Sequence, residues 1–128
     1  MRITLFAIVV PDYDAGLAFY AGALGWAVTS DLDQGSGKRW VVVTPPGGGT
    51  SVLLAKAVGA DQNSVIGNQT GGRVGFFLET DDFARDHTAM LAAGVAFEEA
   101  PRMEPYGTVA VWRDPFGNRW DLIEYTSQ

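Results

Sequence analysis

The strongest constraint on the fold is a repeat, because the order of elements in the first half of the chain recurs in the second half. In each half an apolar run is followed by a segment with helical spacing and then by three runs typical of strands. Superposing Asp12 on Asp82 brings the glycines that end the two helical segments, Gly25 and Gly94, within one residue of each other. Few letters are identical, so the repeat is one of element order. The sequence predicts two β-α-β-β-β modules.

Each helical segment carries signals for its start and its end. Asp12 stands where its carboxylate can accept from the free N–H groups of a first helical turn, and Asp81 or Asp82 does so in the second half. Gly25 and Gly94 follow the last residues with helical spacing and are typical C-terminal caps. These signals predict one helix in each module.

The modules are joined by a long, polar, glycine-rich connector. Module 1 covers about 1–57, the connector about 56–72 and module 2 about 73–128, all within a single domain of residues 1–128. A connector of this length is either a linker alone or a linker that also folds over a pocket. One helix covers only one face of a sheet, so the opposite faces must be covered by something else. We therefore predict an α+β fold, in which two such sheets can wrap face to face and enclose a cavity.

Composition excludes several classes of function. The net charge is −6 and no basic stripe is present, which disfavours binding to nucleic acid. No apolar run approaches the ~18 residues that span a membrane. The chain has no cysteine, which removes disulfides, thiolate metal sites and a cysteine nucleophile. We expect a cytoplasmic protein without nucleic-acid or membrane partners.

Four segments resemble the vicinal oxygen chelate superfamily, which includes glyoxalase I, bleomycin-resistance proteins and extradiol dioxygenases. The fold that this resemblance implies is a pair of βαβββ modules that form a curved mixed sheet around a cavity, usually in a homodimer. The fold hosts several chemistries, so it does not by itself imply one of them. The segments are "VVPDYDAGLAFYAGALGW" (9–26), "GRVGFFLETDD" (72–82), "AAGV" (92–95) and "DPFGNRWDLIEY" (114–125).

The resemblance also assigns four strand positions to the ligands of a divalent metal ion. Metal-dependent members place His, Gln or Glu there, because imidazole nitrogens and carboxylate oxygens must replace water around the ion. Here only the last position offers an oxygen, and a shift of two residues brings only Ala7, Ala55 and Phe77. We therefore predict no metal site and no cofactor. The four positions are Leu5, Leu53, Gly75 and Asp121.

An acid within the apolar run "RWDLIEY" is the most unusual feature of the cavity face. Alternation places Arg119, Asp121 and Ile123 on one face of this strand. Asp121 is a ligand contact, a metal ligand, an ion-pair partner of Arg119 or Arg113, or a residue kept neutral by burial. Trp40, Phe77 and Trp112 either line the cavity or fill the core. For the two tryptophans, the alternation does not determine whether the side chain points inward or outward. The candidate ligand-binding residues are Asp121, Phe77, Trp40, Trp112, Glu79 and Arg119.

Two classes of function remain. An aromatic cavity with few charges suits a small organic ligand, and acidity favours a cationic aromatic one, as in bleomycin-resistance proteins. The alternative is a lyase, isomerase or dioxygenase, either metal-free with Asp121 as the base or metal-dependent. No catalytic residue is identified. His87 is the only histidine and lies in the second helix, near Phe83 and Met90 at helical spacing. This helix should pack on the outer face of the sheet, away from the cavity, so we expect His87 to be a partly buried or flanking helix residue.

Overall fold

The computed structural model describes residues 1–127 and shows the predicted α+β architecture. Two compact units are present, Met1–Gln69 and the residues from Thr70 onward. Each unit holds one mixed sheet, in which a parallel pair of strands is extended by antiparallel neighbours, and one main helix. Among these residues no helix is long and apolar enough to cross a membrane.

Unit 1 follows the predicted order, with a four-stranded sheet arranged β1-β4-β3-β2. The parallel pair is β1 with β4, and both remaining pairs are antiparallel. A helical turn in the connector, α2, is additional to the predicted elements. The elements are β1 (Leu5–Val10), α1 (Tyr13–Leu17), a π-helical continuation (Ala18–Ala23), β2 (Ala27–Gly35), β3 (Lys38–Thr44), β4 (Ser51–Lys56) and α2 (Gly59–Ser64).

The first helix begins at its predicted cap and packs closely on the sheet. The Asp12 carboxylate accepts from the Ala15 N–H at 2.8 Å. A Cβ on Gly16 would lie 2.9 Å from Leu54 Cδ1 and 3.4 Å from Val10 Cγ1, so a larger residue would push the helix away. The helix widens into π geometry before Gly25, which has φ 73°. The predicted glycine cap is therefore present.

Unit 2 contains a sheet ordered β5-β9-β8-β6, with β7 pairing to β8. The parallel pair is β5 with β9, which matches β1 with β4 in unit 1. Asp82 caps the helix by accepting from the Arg85 N–H at 3.1 Å. The elements are β5 (Phe76–Glu79), α3 (Phe83–Ala92), β6 (Ala96–Phe97), β7 (Arg102–Glu104), β8 (Gly107–Arg113) and β9 (Arg119–Tyr125).

Unit 2 has one strand more than the predicted β-α-β-β-β order, because the structure divides the strand that follows the helix into β6 and β7. The Glu98 N–H still bonds to the Val111 carbonyl at 2.9 Å, but the Val111 N–H donates to the Glu99 side chain at 2.8 Å. A carboxylate thus replaces the backbone acceptor in the ladder. Pro101 has no N–H to continue the pairing. The chain bends at this point and pairs with β8 again at Arg102.

The connector ends on the free edge of β1. The Gln69 side chain accepts from the Val9 N–H at 3.0 Å and donates to the Ala7 carbonyl at 2.9 Å. These are the backbone groups that a neighbouring strand would otherwise engage. One side-chain amide therefore satisfies an edge position of the sheet.

The helices identify which face of each sheet is covered. In unit 1, α1 lies against Val10 and Leu54, so Ala7 and Leu53 point to the opposite face. In unit 2, the first N–H of α3, from Phe83, donates to Glu124, which alternates with Asp121 along β9. Asp121 therefore points away from the helix. We call these opposite surfaces the helix-free faces.

Candidate functional site

Asp121 lies at the centre of the helix-free face of unit 2. Its direct neighbours across the sheet are Phe77 on β5 and Val111 on β8. Arg119 and Ile123 flank it along β9 and share its face, as the alternation predicts. The unusual acid is therefore set between three strands of a rigid sheet.

The turn before β9 fixes the position of this strand. The Asp114 carboxylate accepts from the N–H groups of Phe116, Gly117 and Asn118, at 2.9 to 3.0 Å. Its second oxygen accepts from the Asn118 side chain at 2.7 Å. The "DPFGN" motif thus organises its own backbone and starts β9 in a defined register.

The two arginines predicted as partners of Asp121 both bind a different carboxylate. Arg119 Nε and Nη2 donate to the two oxygens of Glu98 at 2.8 and 3.0 Å. A further nitrogen of Arg119 donates to the Gly72 carbonyl at 2.9 Å. Arg113 Nε also lies 2.8 Å from Glu98. The direct ion pair between Asp121 and either arginine is therefore absent, which corrects that alternative.

Asp121 is buried without a hydrogen bond to compensate it. The residue is 8% exposed, and within residues 1–127 its Oδ1 has no hydrogen-bond partner. Burial raises the pKa of Asp121, and Glu99 raises it further, whereas the charges of Arg102 and Arg119 act in the opposite direction. An unsatisfied buried carboxyl oxygen costs about 1–3 kcal/mol or more. The position therefore destabilises the fold unless a partner binds there.

The surface around Asp121 changes from buried to open across three strands. Val109, Val111 and Ile123 share the face of Asp121 and are buried. On the other side of Asp121, Phe77 is 61% exposed, and Glu79 is exposed as well. An aromatic ring open to solvent therefore lies directly beside a buried carboxylate. This arrangement can stack a flat molecule and orient one polar group.

Of the two tryptophans proposed as ligand contacts, Trp112 lies on the face of unit 2 opposite to Asp121, and Trp40 belongs to unit 1. Trp112 pairs with Trp120 on the helix-covered face, and their rings stack with centroids 5.0 Å apart. Trp112 is fully buried, so its place is in the core of the unit. Trp40 belongs to unit 1, where it pairs with Leu32 and is 38% exposed. Trp40 shares the helix-free face of its own sheet.

The charged residues that surround Asp121 were not predicted from the sequence. Glu98 binds two arginines, and Glu99 binds both the Val111 N–H and Arg102. Arg102 also donates to Glu104 at 2.8 Å. The signal was the charge run "EEAPRME", which interrupts a strand with a proline. The predicted element order has a single strand directly after the helix, and this strand leaves no place for the bend that brings these side chains together.

The residues present do not fit the metal site of the metal-dependent relatives. Leu5 and Leu53 offer no lone pairs, and Gly75 has no side chain. A Cβ added at Gly75 would collide with Thr70, which already fills that space. In the part of the chain that the structure describes, no three His, Cys, Asp or Glu residues are grouped so that they could hold an ion. Asp121 alone supplies an oxygen.

His87 lies in α3 between two aromatic rings. Its ring stacks on Phe83 at 5.3 Å and meets Phe97 edge-on at 4.6 Å. Phe97 pairs with Trp112, so these contacts belong to the helix-covered face. The histidine is thus a packing residue of the helix and lies on the opposite side of the sheet from Asp121.

Comparison with known proteins identifies the family. Residues 2–122 match the family described as the Glyoxalase/Bleomycin resistance protein/Dioxygenase superfamily. An uncharacterized protein of Shewanella frigidimarina is 48% identical over 95% of this chain and 92% of its own length. The similarity therefore extends through both modules.

Solved structures of similar proteins share the fold over nearly the whole chain. A superfamily member from Sphaerobacter thermophilus is 28% identical with a TM-score of 0.76, covering 97% of each chain. TnmS3, described as an antibiotic binding protein from Streptomyces sp. CB03234, is 29% identical with a TM-score of 0.78. That match covers 98% of this chain and 97% of TnmS3.

Proposed function

The chain belongs to the glyoxalase/bleomycin resistance protein/dioxygenase superfamily, and on this premise we propose that it binds and sequesters a small organic molecule without a metal ion. The molecule is aromatic and carries a positive charge. Its ring stacks on Phe77 and its cationic group pairs with Asp121. The single observation that carries the proposal is the buried, unpartnered carboxyl oxygen of Asp121.

Burial of an unpaired acid is the main support for a binding role. A sheet position can be filled by Leu or Val without any penalty, whereas a buried carboxylate destabilises the fold unless it is paired. All three arginines near Asp121 are held by glutamates. The hydrogen-bonding capacity of this carboxyl oxygen is therefore unused, and a cation that reached it would give a charge-assisted hydrogen bond.

The exposed ring of Phe77 supports an aromatic ligand. Large apolar side chains that remain exposed beside a polar anchor are typical of binding surfaces. An aromatic face also attracts a cation, by about 0.5–2 kcal/mol depending on solvent exposure. Exposed Glu79 on the same strand and the net charge of −6 add a favourable field for a positive ligand. The antibiotic-binding neighbour TnmS3 gives this proposal a precedent within the same fold.

A second candidate, a metal-free lyase or isomerase, is favoured by the raised pKa of Asp121. Burial moves the pKa of this carboxyl towards the range in which an acid can accept a proton from a substrate. The two candidates differ in outcome, because a binding protein returns its ligand unchanged. Mass spectrometry of the ligand after long incubation distinguishes them.

The proposal extends to the oligomeric state of the protein. We propose that the protein acts as a homodimer, as its superfamily usually does, and light scattering coupled to gel filtration would give the mass directly. A dimer of 13.7 kDa chains supports the proposal, whereas a monomer at working concentrations contradicts it. The cytoplasmic location stays a prediction from the sequence.

The binding proposal is tested by titrating the protein with planar aromatic cations, beginning with proflavine, and with the neutral analogue acridone. Wild type should bind the cation more tightly, and Asp121→Asn should weaken cation binding by about 10-fold or more. Asp61→Asn is the matched control, because Asp61 is an exposed acid of α2 in unit 1. Absence of binding to any cation in the panel, or equal affinities for wild type and Asp121→Asn, would overturn the proposal.

A further inference from the structure

Glu79, at the end of β5, lies on the same face of the sheet as Asp121. In the parallel pair of β5 and β9, Phe77 is the direct neighbour of Asp121. Glu79 is in the same way the neighbour of Ile123, which shares the face of Asp121. Neighbouring strands lie about 4.8 Å apart and two residues of a strand span about 6.6 Å, so the Cα atoms of Glu79 and Asp121 are about 8 Å apart. One small molecule can therefore reach both carboxylates.

The sheet fixes the separation of these two acids. The Gly75 N–H, just before β5, donates to the Arg119 carbonyl at 3.2 Å. The Thr80 N–H, directly after Glu79, donates to the Ile123 carbonyl at 2.8 Å. β5 is thus bonded to β9 beyond both of its ends, so the backbone of Glu79 is held by the sheet. A ligand that spans both acids would not have to order this backbone on binding.

Glu79 and Asp121 differ from the other charged residues of this region, because neither takes part in an ion pair within residues 1–127. Glu79 also has no hydrogen bond there, and Oδ1 of the buried Asp121 has none either. The three glutamates and three arginines around Asp121 bind one another, so their charges cancel. They are Glu98, Glu99, Glu104, Arg102, Arg113 and Arg119. The helix-free face of unit 2 therefore carries two acids without a counter-charge.

We propose that the ligand of this site is an aromatic molecule with two cationic groups, one bound by Asp121 and the other by Glu79. Phe77 is adjacent to both acids, so a ring that stacks on it can connect the two groups. A ligand with one positive charge leaves one carboxylate without a partner, whereas a dication pairs both and removes the repulsion between them. The inference rests on the proposed function, which assigns the ring to Phe77 and one cation to Asp121.

The two acids contribute to binding in different ways. Asp121 is buried, so its contact with a cation is shielded from water and supplies most of the electrostatic affinity. Glu79 is exposed, so its ion pair is screened by solvent and strengthens binding by about 5-fold. Glu79 is therefore the residue that distinguishes a dication from a monocation of the same shape.

The test compares two aminoacridines of the same shape, of which one carries a second positive charge. The first has an aminobutyl chain on its exocyclic nitrogen and is a dication at neutral pH. The second has a pentyl chain, in which a methyl group replaces the ammonium group, and is a monocation. Fluorescence titration of the full chain should show about 5-fold tighter binding of the dication. Glu79→Gln should bind the monocation as wild type does and lose this preference, and Glu79→Lys should reverse it.

Asp61→Asn is the matched control, because it removes one negative charge from an exposed acid of α2 in unit 1. This variant should keep the preference for the dication, which separates a contact with Glu79 from the general attraction of an acidic protein. Circular dichroism of each variant establishes that the fold is retained.

Equal affinities of wild type for the two aminoacridines, or the same preference in Glu79→Gln as in wild type, would overturn the inference. The proposed function then stands if the monocation binds and Asp121→Asn weakens that binding. If wild type binds neither aminoacridine, the inference and the proposed function both fail.

Discussion

The central strands of the two sheets carry different residues at equivalent positions. Leu53 on β4 pairs with Ala7 and Val42, whereas Asp121 on β9 pairs with Phe77 and Val111. In both units this strand lies beside the parallel edge strand, and the side chain points to the helix-free face. A small and entirely apolar triplet in one unit is thus replaced by an acid beside an open aromatic ring in the other.

The helix-covered faces show no such difference. Val10 and Leu54 in unit 1 and Trp112, Trp120 and Leu122 in unit 2 are all buried and apolar. Packing of one helix on one sheet therefore supports both units in the same way. The comparison indicates that packing on the helix-covered face is enough to stabilise each unit. The helix-free face of unit 2 can therefore carry a residue that lowers stability.

The largest expected effect comes from the helix-covered face. Trp112→Ala should lower the free energy of unfolding by about 3–5 kcal/mol, because the change removes a fully buried ring that stacks on Trp120. Denaturant unfolding followed by circular dichroism measures it. Trp40→Ala is the control, because Trp40 is partly exposed on a helix-free face, and it should lower the free energy of unfolding by less than half as much. Equal losses would mean that the two faces do not differ as described.

The second prediction transfers the acid from one unit to the other. Leu53→Asp should destabilise the protein by about 2–3 kcal/mol, because unit 1 loses apolar burial and gains a charge on an apolar face. Leu53→Asn is the matched control, and the difference between the two variants at neutral pH reports the charge alone. The comparison fails if Leu53→Asp is as stable as wild type.

The smallest effect concerns the edge of unit 1. Gln69→Ala should cost about 0.5–1.5 kcal/mol, because Val9 N–H and Ala7 C=O lose their side-chain partner but can regain water. Hydrogen exchange of the Val9 amide should accelerate selectively. An unchanged exchange rate would show that the Gln69 side chain does not hold this edge.

Much of the fold follows from local signals in the sequence. Asp12, Asp82, Gly25 and Gly94 mark helix ends by backbone chemistry that needs no distant partner. Alternation also placed Asp121 and Trp120 on opposite faces of β9, because the period of a strand is fixed. Such features are encoded within a few residues and could be predicted from the sequence.

The charge network around Asp121 could not be predicted in this way. Glu99 replaces a backbone acceptor for Val111, which is twelve residues away, and Glu98 reaches across β8 to Arg119 on β9. The facing of Trp112 was equally open, because a strand that is apolar on both sides does not show which side a helix covers. These features depend on tertiary structure, which determines which side chains come into contact.

The most direct test of the account is the stability of Asp121→Leu, which gives unit 2 the residue that unit 1 carries. The pKa of Asp121 is raised above its ordinary value of 3.8 in the folded state. The destabilisation that Asp121 causes is therefore absent below pH 3.8 and grows as the pH rises through the folded-state pKa. Asp121→Leu should therefore be more stable than wild type by about 1–3 kcal/mol at neutral pH, with a smaller gain in acid, and should lose cation binding. A variant that is less stable than wild type at neutral pH would contradict the account, because Asp121 would then stabilise the fold.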